Sequence, residues 1–126
     1  MKRGVVQHSS EDPVYVPGLD AGIEPFVLIL RHNGIETHES CEGGEGHCFP
    51  EPTIRMHGND TEGWAALAVA IDYGLPVLKI GRVWSVSHGI PTGPDWEMVF
   101  WRKATEEDAL HAKSVTGGVG ENLESI

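Results

Sequence analysis

Two turns, at residues 33–35 (Asn-Gly-Ile) and 73–75 (Tyr-Gly-Leu), constrain the fold of this chain more than any other feature. Glycine adopts the left-handed backbone conformation that commonly ends a helix. Each turn follows an apolar segment of helical character and precedes a segment of β-branched residues, so the two halves of the chain open alike. The sequence therefore predicts two αββ units in succession.

The first apolar segment, Phe26 to Leu30, is predicted to belong to a helix that runs from Asp20 to Asn33. An aspartate can cap the start of a helix, and Pro25 suits the first turn, where its missing N–H would have no partner. A buried strand is the alternative, because such a short apolar run fits either element.

The second helix is predicted from Asp60 or Thr61, either of which can cap it, to the second glycine turn. Trp64, Leu67 and Ile71 recur in it at helical spacing. That spacing predicts an apolar stripe that packs onto a sheet as part of the core.

Alternating and β-branched segments predict four strands, at residues 35–40, 52–57, 77–86 and 95–102. Residues 87–94 are dense in turn formers and predict a long hairpin loop, and a short helix is expected from 105 to 113. This order predicts an α+β fold: a two-layer αββαββ sandwich, with an antiparallel sheet of about four strands and two helices on one face. Residues 1–18 are expected to form an irregular arm, 19–113 a single domain, and 114–126 a flexible tail.

The chain is strongly acidic, with nineteen acidic against nine basic side chains and a formal net charge of −10. A surface of that sign repels phosphate backbones and anionic membranes, so direct binding to nucleic acid or membrane is not expected. The polar start of the chain carries no secretory signal, and no apolar run approaches the roughly 20 residues of a membrane span. These features predict a cytoplasmic protein whose acidity serves solubility or fits the basic groove of a partner.

Residues 36–51 hold five glutamates, two histidines, both cysteines of the chain and no lysine or arginine. Thiolate and imidazole are zinc ligands, and the glycines of this segment would allow it to fold back on itself. The predicted zinc ligands are Cys41, His47, Cys48 and His38. His38 is the weakest of them, because residues three apart on a strand point to opposite faces.

Other side chains offer alternatives for the same zinc ion and for the same loop. His57, Glu39 or Glu45 would complete the metal site in place of His38. The predicted partner-binding residues are four glutamates of the segment: Glu39, Glu42, Glu45 and Glu51.

Three further interpretations of the cysteines stay open. Cys41 and Cys48 are buried thiols in a reducing compartment, or they form a disulfide in an oxidising one. An enzyme would use Cys41 as a nucleophile with His38, His47 or His88 as its base, although the neighbouring carboxylates oppose thiolate formation.

The run from Asn33 to Gly44, followed by Gly46-His47 and by residues 49–52 (Phe-Pro-Glu-Pro), resembles a family of short uncharacterised proteins of phages and mobile elements. The resemblance covers residues 20–103 and includes the segments 74–77 and 91–94. The family brings no established activity. It implies a phage or mobile-element accessory factor that inhibits a host protein, such as nucleic-acid-handling or defence machinery.

The sequence thus favours a small acidic non-enzymatic binding protein that offers its 36–51 loop to a protein partner with a basic surface. The alternative is a small metal- or cysteine-dependent enzyme, or a ligand-binding module, that uses Cys41 and His47.

Overall fold

A computed structural model describes residues 19–117 of the chain. The helices are α1 (Glu24–His32), α2 (Asp60–Asp72) and α3 (Glu106–Thr116), and the strands are β1 (Thr37–Cys41), β2 (Thr53–Met56), β3 (Val77–Ser87) and β4 (Ile90–Phe100). The strands form one four-stranded sheet in the order β1-β2-β4-β3, with every neighbouring pair antiparallel.

The predicted α+β class and the four antiparallel strands are confirmed. The two-layer αββαββ arrangement with two helices on one face stays a prediction, and the predicted arm at 1–18 and most of the predicted tail lie outside the described residues.

The apolar segment Phe26 to Leu30 belongs to helix α1, so the predicted helix is confirmed and the alternative strand is wrong. The buried residues of α1 recur at helical spacing. Pro25 lies in the first turn, as predicted, and Gly34 follows the helix with a φ of +86°. The predicted cap is wrong: Ile23 is the N-cap and makes no side-chain capping hydrogen bond. The Asp20 side chain is therefore not used to start this helix.

Helix α2 begins with a reciprocal cap one residue earlier than predicted. The Asn59 side chain accepts hydrogen bonds from the N–H groups of Thr61 and Glu62, at 2.9 and 3.3 Å. The Glu62 carboxylate accepts the N–H of Asn59 in return, at 2.6 Å. This arrangement satisfies backbone donors that the first turn would otherwise leave unpaired.

The prediction that Trp64, Leu67 and Ile71 pack onto the sheet is wrong. Trp64 is 69% exposed and Ile71 is 66% exposed, while Leu67 is only half-buried. The helix instead turns its small residues to the core: Gly63, Ala66 and Ala70.

The reason for this orientation is the close approach of α2 to the sheet. A Cβ atom at Gly63 would overlap the indole ring of Trp96, which lies on β4. The Trp96 Nε1–H donates to the backbone oxygen of Asn59 at 2.9 Å, which fixes the start of the helix against the same strand. Only a helix face of small residues fits at this separation, so the large apolar side chains point outward.

The long loop predicted at residues 87–94 is also wrong. β3 and β4 continue to a two-residue turn at His88 and Gly89, whose φ values of 54° and 78° suit a tight hairpin. Pro91 pairs opposite Val86 inside the ladder. Proline is tolerated there because β2 pairs only with residues 96–99 of β4, which leaves the distal part of β4 with an open edge.

The core contains buried side chains of β2, of β4 and of all three helices. Ile54 of β2 lies opposite Met98 of β4, and both are fully buried. The rings of Phe26 on α1 and Phe100 on β4 stack with centroids 4.7 Å apart. Within residues 19–117, no helix has the length and apolar character needed to cross a membrane.

Candidate metal centre

The glycine-rich segment after β1 folds back over the end of that strand. Gly43 has a φ of +84°, and a Cβ atom there would overlap the backbone of Glu51. The Gly44 N–H donates to the oxygen of Pro50 at 3.0 Å, and the His47 N–H donates to the oxygen of Gly44 at 3.1 Å. These bonds close a compact loop over residues 42–52, here called the 42–52 loop.

Replacing Gly43 by Ala is expected to destabilise this loop more than any other Gly→Ala change within it. A non-glycine residue in the left-handed region costs about 1–2 kcal/mol, and the backbone overlap adds about 1–3 kcal/mol. Gly46→Ala is the matched control, because Gly46 also has a positive φ, of +83°, but a Cβ atom added there would meet no atom within 4 Å. Urea unfolding of both variants measures the difference. Equal losses in the free energy of unfolding would contradict the close approach of Gly43 to the backbone of Glu51.

Three potential metal ligands meet beneath the 42–52 loop and are called the Cys41 cluster: Asp20, Cys41 and His47. The Cys41 Sγ lies 3.6 Å from His47 Nδ1, and an Asp20 carboxylate oxygen lies 3.9 Å from the same nitrogen. Cys41 ends β1, His47 belongs to the loop, and Asp20 precedes α1. The cluster therefore links three separate parts of the chain.

The Cys41 sulfur lies in an enclosed, donor-lined position. Its side chain is 1% exposed. The N–H of Gly43 donates to the sulfur at 3.5 Å. This environment suits a buried metal ligand.

Glu42 holds the other side of the His47 ring. One of its carboxylate oxygens lies 3.8 Å from His47 Nε2 and 3.8 Å from Lys103 Nζ. The other oxygen accepts the N–H of Gly22 at 2.9 Å. The His47 ring thus presents Nε2 to Glu42, and it presents Nδ1 to Cys41 and Asp20.

The remaining predicted zinc ligands lie elsewhere. Cys48 is exposed, is not joined to Cys41 by a disulfide and is not a member of the Cys41 cluster. The disulfide interpretation is thus contradicted. Asp20, predicted to cap a helix, is instead the third member of the Cys41 cluster. No spacing signal in the sequence connects it to Cys41.

His38 belongs to a second group of three potential ligands, called the His38 cluster: His38, His57 and Asp95. His38 Nε2 lies 3.4 Å from one oxygen of Asp95, and His57 Nδ1 lies 3.0 Å from the other. The two imidazole rings stack with centroids 3.9 Å apart and planes 8° from parallel. The sequence predicts His57 only as an alternative ligand for the first site, and no sequence pattern indicates Asp95.

The His38 side chain is held toward its neutral form. Burial lowers the pKa of His38 below its ordinary value of 6.5, and the adjacent His57 lowers that pKa further, while Asp95 opposes the shift. Neutral imidazole is the form that binds metal ions.

The four glutamates predicted to bind a partner differ in what they contact. Glu39 lies 3.9 Å from the guanidinium of Arg55, which also binds Glu97 at 3.0 Å. Glu42 contacts Lys103 and His47, as described above. Glu45 and Glu51 are exposed.

Comparisons with models of protein families, with curated proteins and with solved structures find no match to this chain.

Proposed function

We propose that this chain is a non-enzymatic binding protein in which a zinc ion, held by the Cys41 cluster, fixes the 42–52 loop for recognition of a protein partner with a basic surface. The observation that carries the proposal is the 3.6 Å separation of Cys41 Sγ and His47 Nδ1. A tetrahedral zinc ion bound at about 2.3 Å to sulfur and about 2.0–2.1 Å to nitrogen separates those two atoms by roughly 3.5–3.6 Å.

The rest of the cluster supports the same ion. The Asp20 carboxylate oxygen lies 3.9 Å from His47 Nδ1 and within 4.8 Å of the Cys41 sulfur, so rotation of this side chain would bring it to a third ligand position. A Glu42 carboxylate oxygen lies 3.8 Å from His47 Nε2, and a small shift would let it accept the ring N–H, as carboxylates commonly do behind a metal-bound histidine. The three protein ligands leave the fourth position of the tetrahedron for water or for a further ligand.

The ion would stabilise the conformation of the 42–52 loop, because this loop has few buried side chains of its own. Its residues 45–48 are exposed, and it is closed mainly by backbone hydrogen bonds and glycine turns. Zinc would join this loop to the end of β1 and to the segment before α1. Glu45 and Glu51 would then be held in a fixed arrangement for a partner, whereas Glu39 and Glu42 have cationic neighbours within the chain.

The metal is tested with Cys41→Ser, for which Cys48→Ser is the matched control. We expect the full chain loaded with Co²⁺ to show a near-ultraviolet thiolate-to-cobalt absorption band that Cys41→Ser abolishes and Cys48→Ser keeps. Elemental analysis of the zinc-loaded proteins should show one equivalent fewer in Cys41→Ser than in Cys48→Ser. A band that persists in Cys41→Ser, or that Cys48→Ser removes, would contradict the assigned ligands.

An enzyme that uses Cys41 and His47 is the second candidate, and the same 3.6 Å separation favours it, since it also fits a thiolate–imidazolium pair. Burial of Cys41 opposes it, because a nucleophile has to reach its substrate. Alkylation by iodoacetamide in the Cys48→Ser background separates the two. Rapid alkylation of Cys41 at acidic pH in zinc-treated protein supports a reactive thiolate–imidazolium pair. Protection of Cys41 by zinc supports the zinc site.

The binding surface is tested by reversing its charge. Glu45→Lys combined with Glu51→Lys should abolish capture of a partner from host lysate, with an effect that weakens as salt is raised. The control combines Glu106→Lys with Glu107→Lys on α3, which changes the net charge equally at another exposed place. Equal loss of the captured protein in both variants would show that overall acidity, and not the loop, attracts it.

The resemblance to small phage and mobile-element proteins and the net charge of −10 support a specific role within this proposal. The protein would act as an accessory factor that inhibits a host protein by occupying a basic surface, such as that of nucleic-acid-handling or defence machinery. Competition between the captured partner's own ligand and this protein would test the inhibition directly.

A further inference from the structure

We infer that the His38 cluster is a second, independent site for a divalent transition-metal ion such as Zn²⁺, with one coordination position open to solvent. Two imidazoles and one carboxylate form a ligand set that zinc uses in sites with three protein ligands and an open fourth position. Nothing in this site depends on Cys41 or on the 42–52 loop.

The ligand atoms lie close enough together to converge on one ion. Nitrogen and oxygen ligands at about 2.0–2.2 Å from a tetrahedral ion lie roughly 3.3–3.6 Å from each other. His38 Nε2 lies 3.4 Å from one oxygen of Asp95, and His57 Nδ1 lies 3.0 Å from the other oxygen. All three ligand atoms lie within 4.8 Å of one another, so reorientation of these side chains would bring them to one ion.

Three neighbouring strands of the sheet position the ligands. His38 lies on β1 at a shift in register between Thr37 and Glu39, a β-bulge of the kind that re-aims a side chain. His57 directly follows β2, and Asp95 lies on β4, the next strand in the sheet. A hydrogen-bonded sheet is a rigid support, so the site does not have to be ordered by the ion.

Exposure of the ligands leaves one side of the site open. The Asp95 side chain is only 15% exposed, whereas that of His57 is 68% exposed. An ion bound between them would therefore face solvent through the His57 side. Water or an anionic ligand would occupy the remaining position.

The stacked rings indicate how binding would change the site. A nitrogen lone pair lies in the plane of its imidazole ring, so two parallel rings cannot both point directly at one ion. We expect the rings to tilt out of their 8° stack when the ion binds. Imidazole NMR signals of His38 and His57 should then shift together at one equivalent of Zn²⁺.

The competing explanation of this geometry is a cluster without metal, in which the two histidines only hydrogen-bond to Asp95. A metal titration decides between a metal site and such a cluster. In the Cys41→Ser background, which lacks the thiolate ligand, isothermal titration should show one equivalent of Zn²⁺ bound. Adding His57→Gln should lower the affinity at least tenfold, while His32→Gln, at an exposed histidine of α1, should leave it unchanged. Co²⁺ bound at this site should give visible absorption without the thiolate band.

Failure of this inference is distinguishable from failure of the proposed function. Absence of binding in the Cys41→Ser background, or equal binding with His57→Gln and His32→Gln, would overturn the second site, whatever the thiolate band of the wild-type chain shows. If Cys41→Ser does not fold by circular dichroism, the wild-type chain is compared with His57→Gln alone. A loss of one equivalent of Zn²⁺ with the thiolate band intact supports the inference, and an unchanged stoichiometry overturns it.

Discussion

Phe100→Ala is expected to lower the free energy of unfolding by about 3–5 kcal/mol, the range for removing a buried aromatic ring from a well-packed core. Phe100 is fully buried on β4, and its ring stacks on that of Phe26, which is also fully buried. The truncation would leave a cavity between the sheet and α1. Phe26→Ala should cost a similar amount, and urea unfolding measures both.

The control is Trp101→Ala, an aromatic truncation at the next residue, where the side chain is exposed. Its loss should stay below about 1 kcal/mol because little buried surface disappears. The double variant of Phe26 and Phe100 should be less destabilised than the sum of the single variants, because both remove the same stacked contact. Additive losses, or a Trp101→Ala loss as large as that of Phe100→Ala, would contradict the described core.

Gly63→Val is expected to have the second-largest effect, with a loss of about 3 kcal/mol or more. A Cβ atom at Gly63 already overlaps the ring of Trp96, and valine adds two methyl groups to that overlap. Overpacking of a tight core contact costs about 1–3 kcal/mol, occasionally more. The better helix propensity of alanine over glycine, about 1 kcal/mol, would offset only part of this in Gly63→Ala.

Shortening the side chain of Trp96 tests whether the overlap between residues 63 and 96 causes the loss of stability. Trp96→Leu should reduce the additional loss caused by Gly63→Val, since the two sites are in direct contact. Gly81→Ala is the control for a glycine replaced within the sheet, because nothing lies within 4 Å of its Cβ position. A Gly63→Val protein as stable as the wild-type chain would show that α2 lies farther from β4 than described.

The proximity of Cys41 and His47 was predictable because these two residues are close in sequence. Cys41 and His47 are six residues apart, and the glycines between them indicated a loop that folds back. Asp20 lies 21 residues before Cys41, and Asp95 lies 38 residues after His57. No local pattern connects such distant residues, so only the packing of α1 and the pairing of the strands brought them to the clusters.

The sequence by itself determined the α+β class, the four strands and the glycine turns that follow α1 and α2. These features depend on local physics: glycine at a positive φ after α1 and after α2, and alternating side chains along strands. The tertiary structure decided the face that α2 turns to the sheet and the extension of the β3–β4 hairpin through Pro91. Both outcomes depend on the space that a neighbouring element leaves, beside Trp96 in one case and along an open strand edge in the other, and hydrophobic spacing along one segment carries no information about that space.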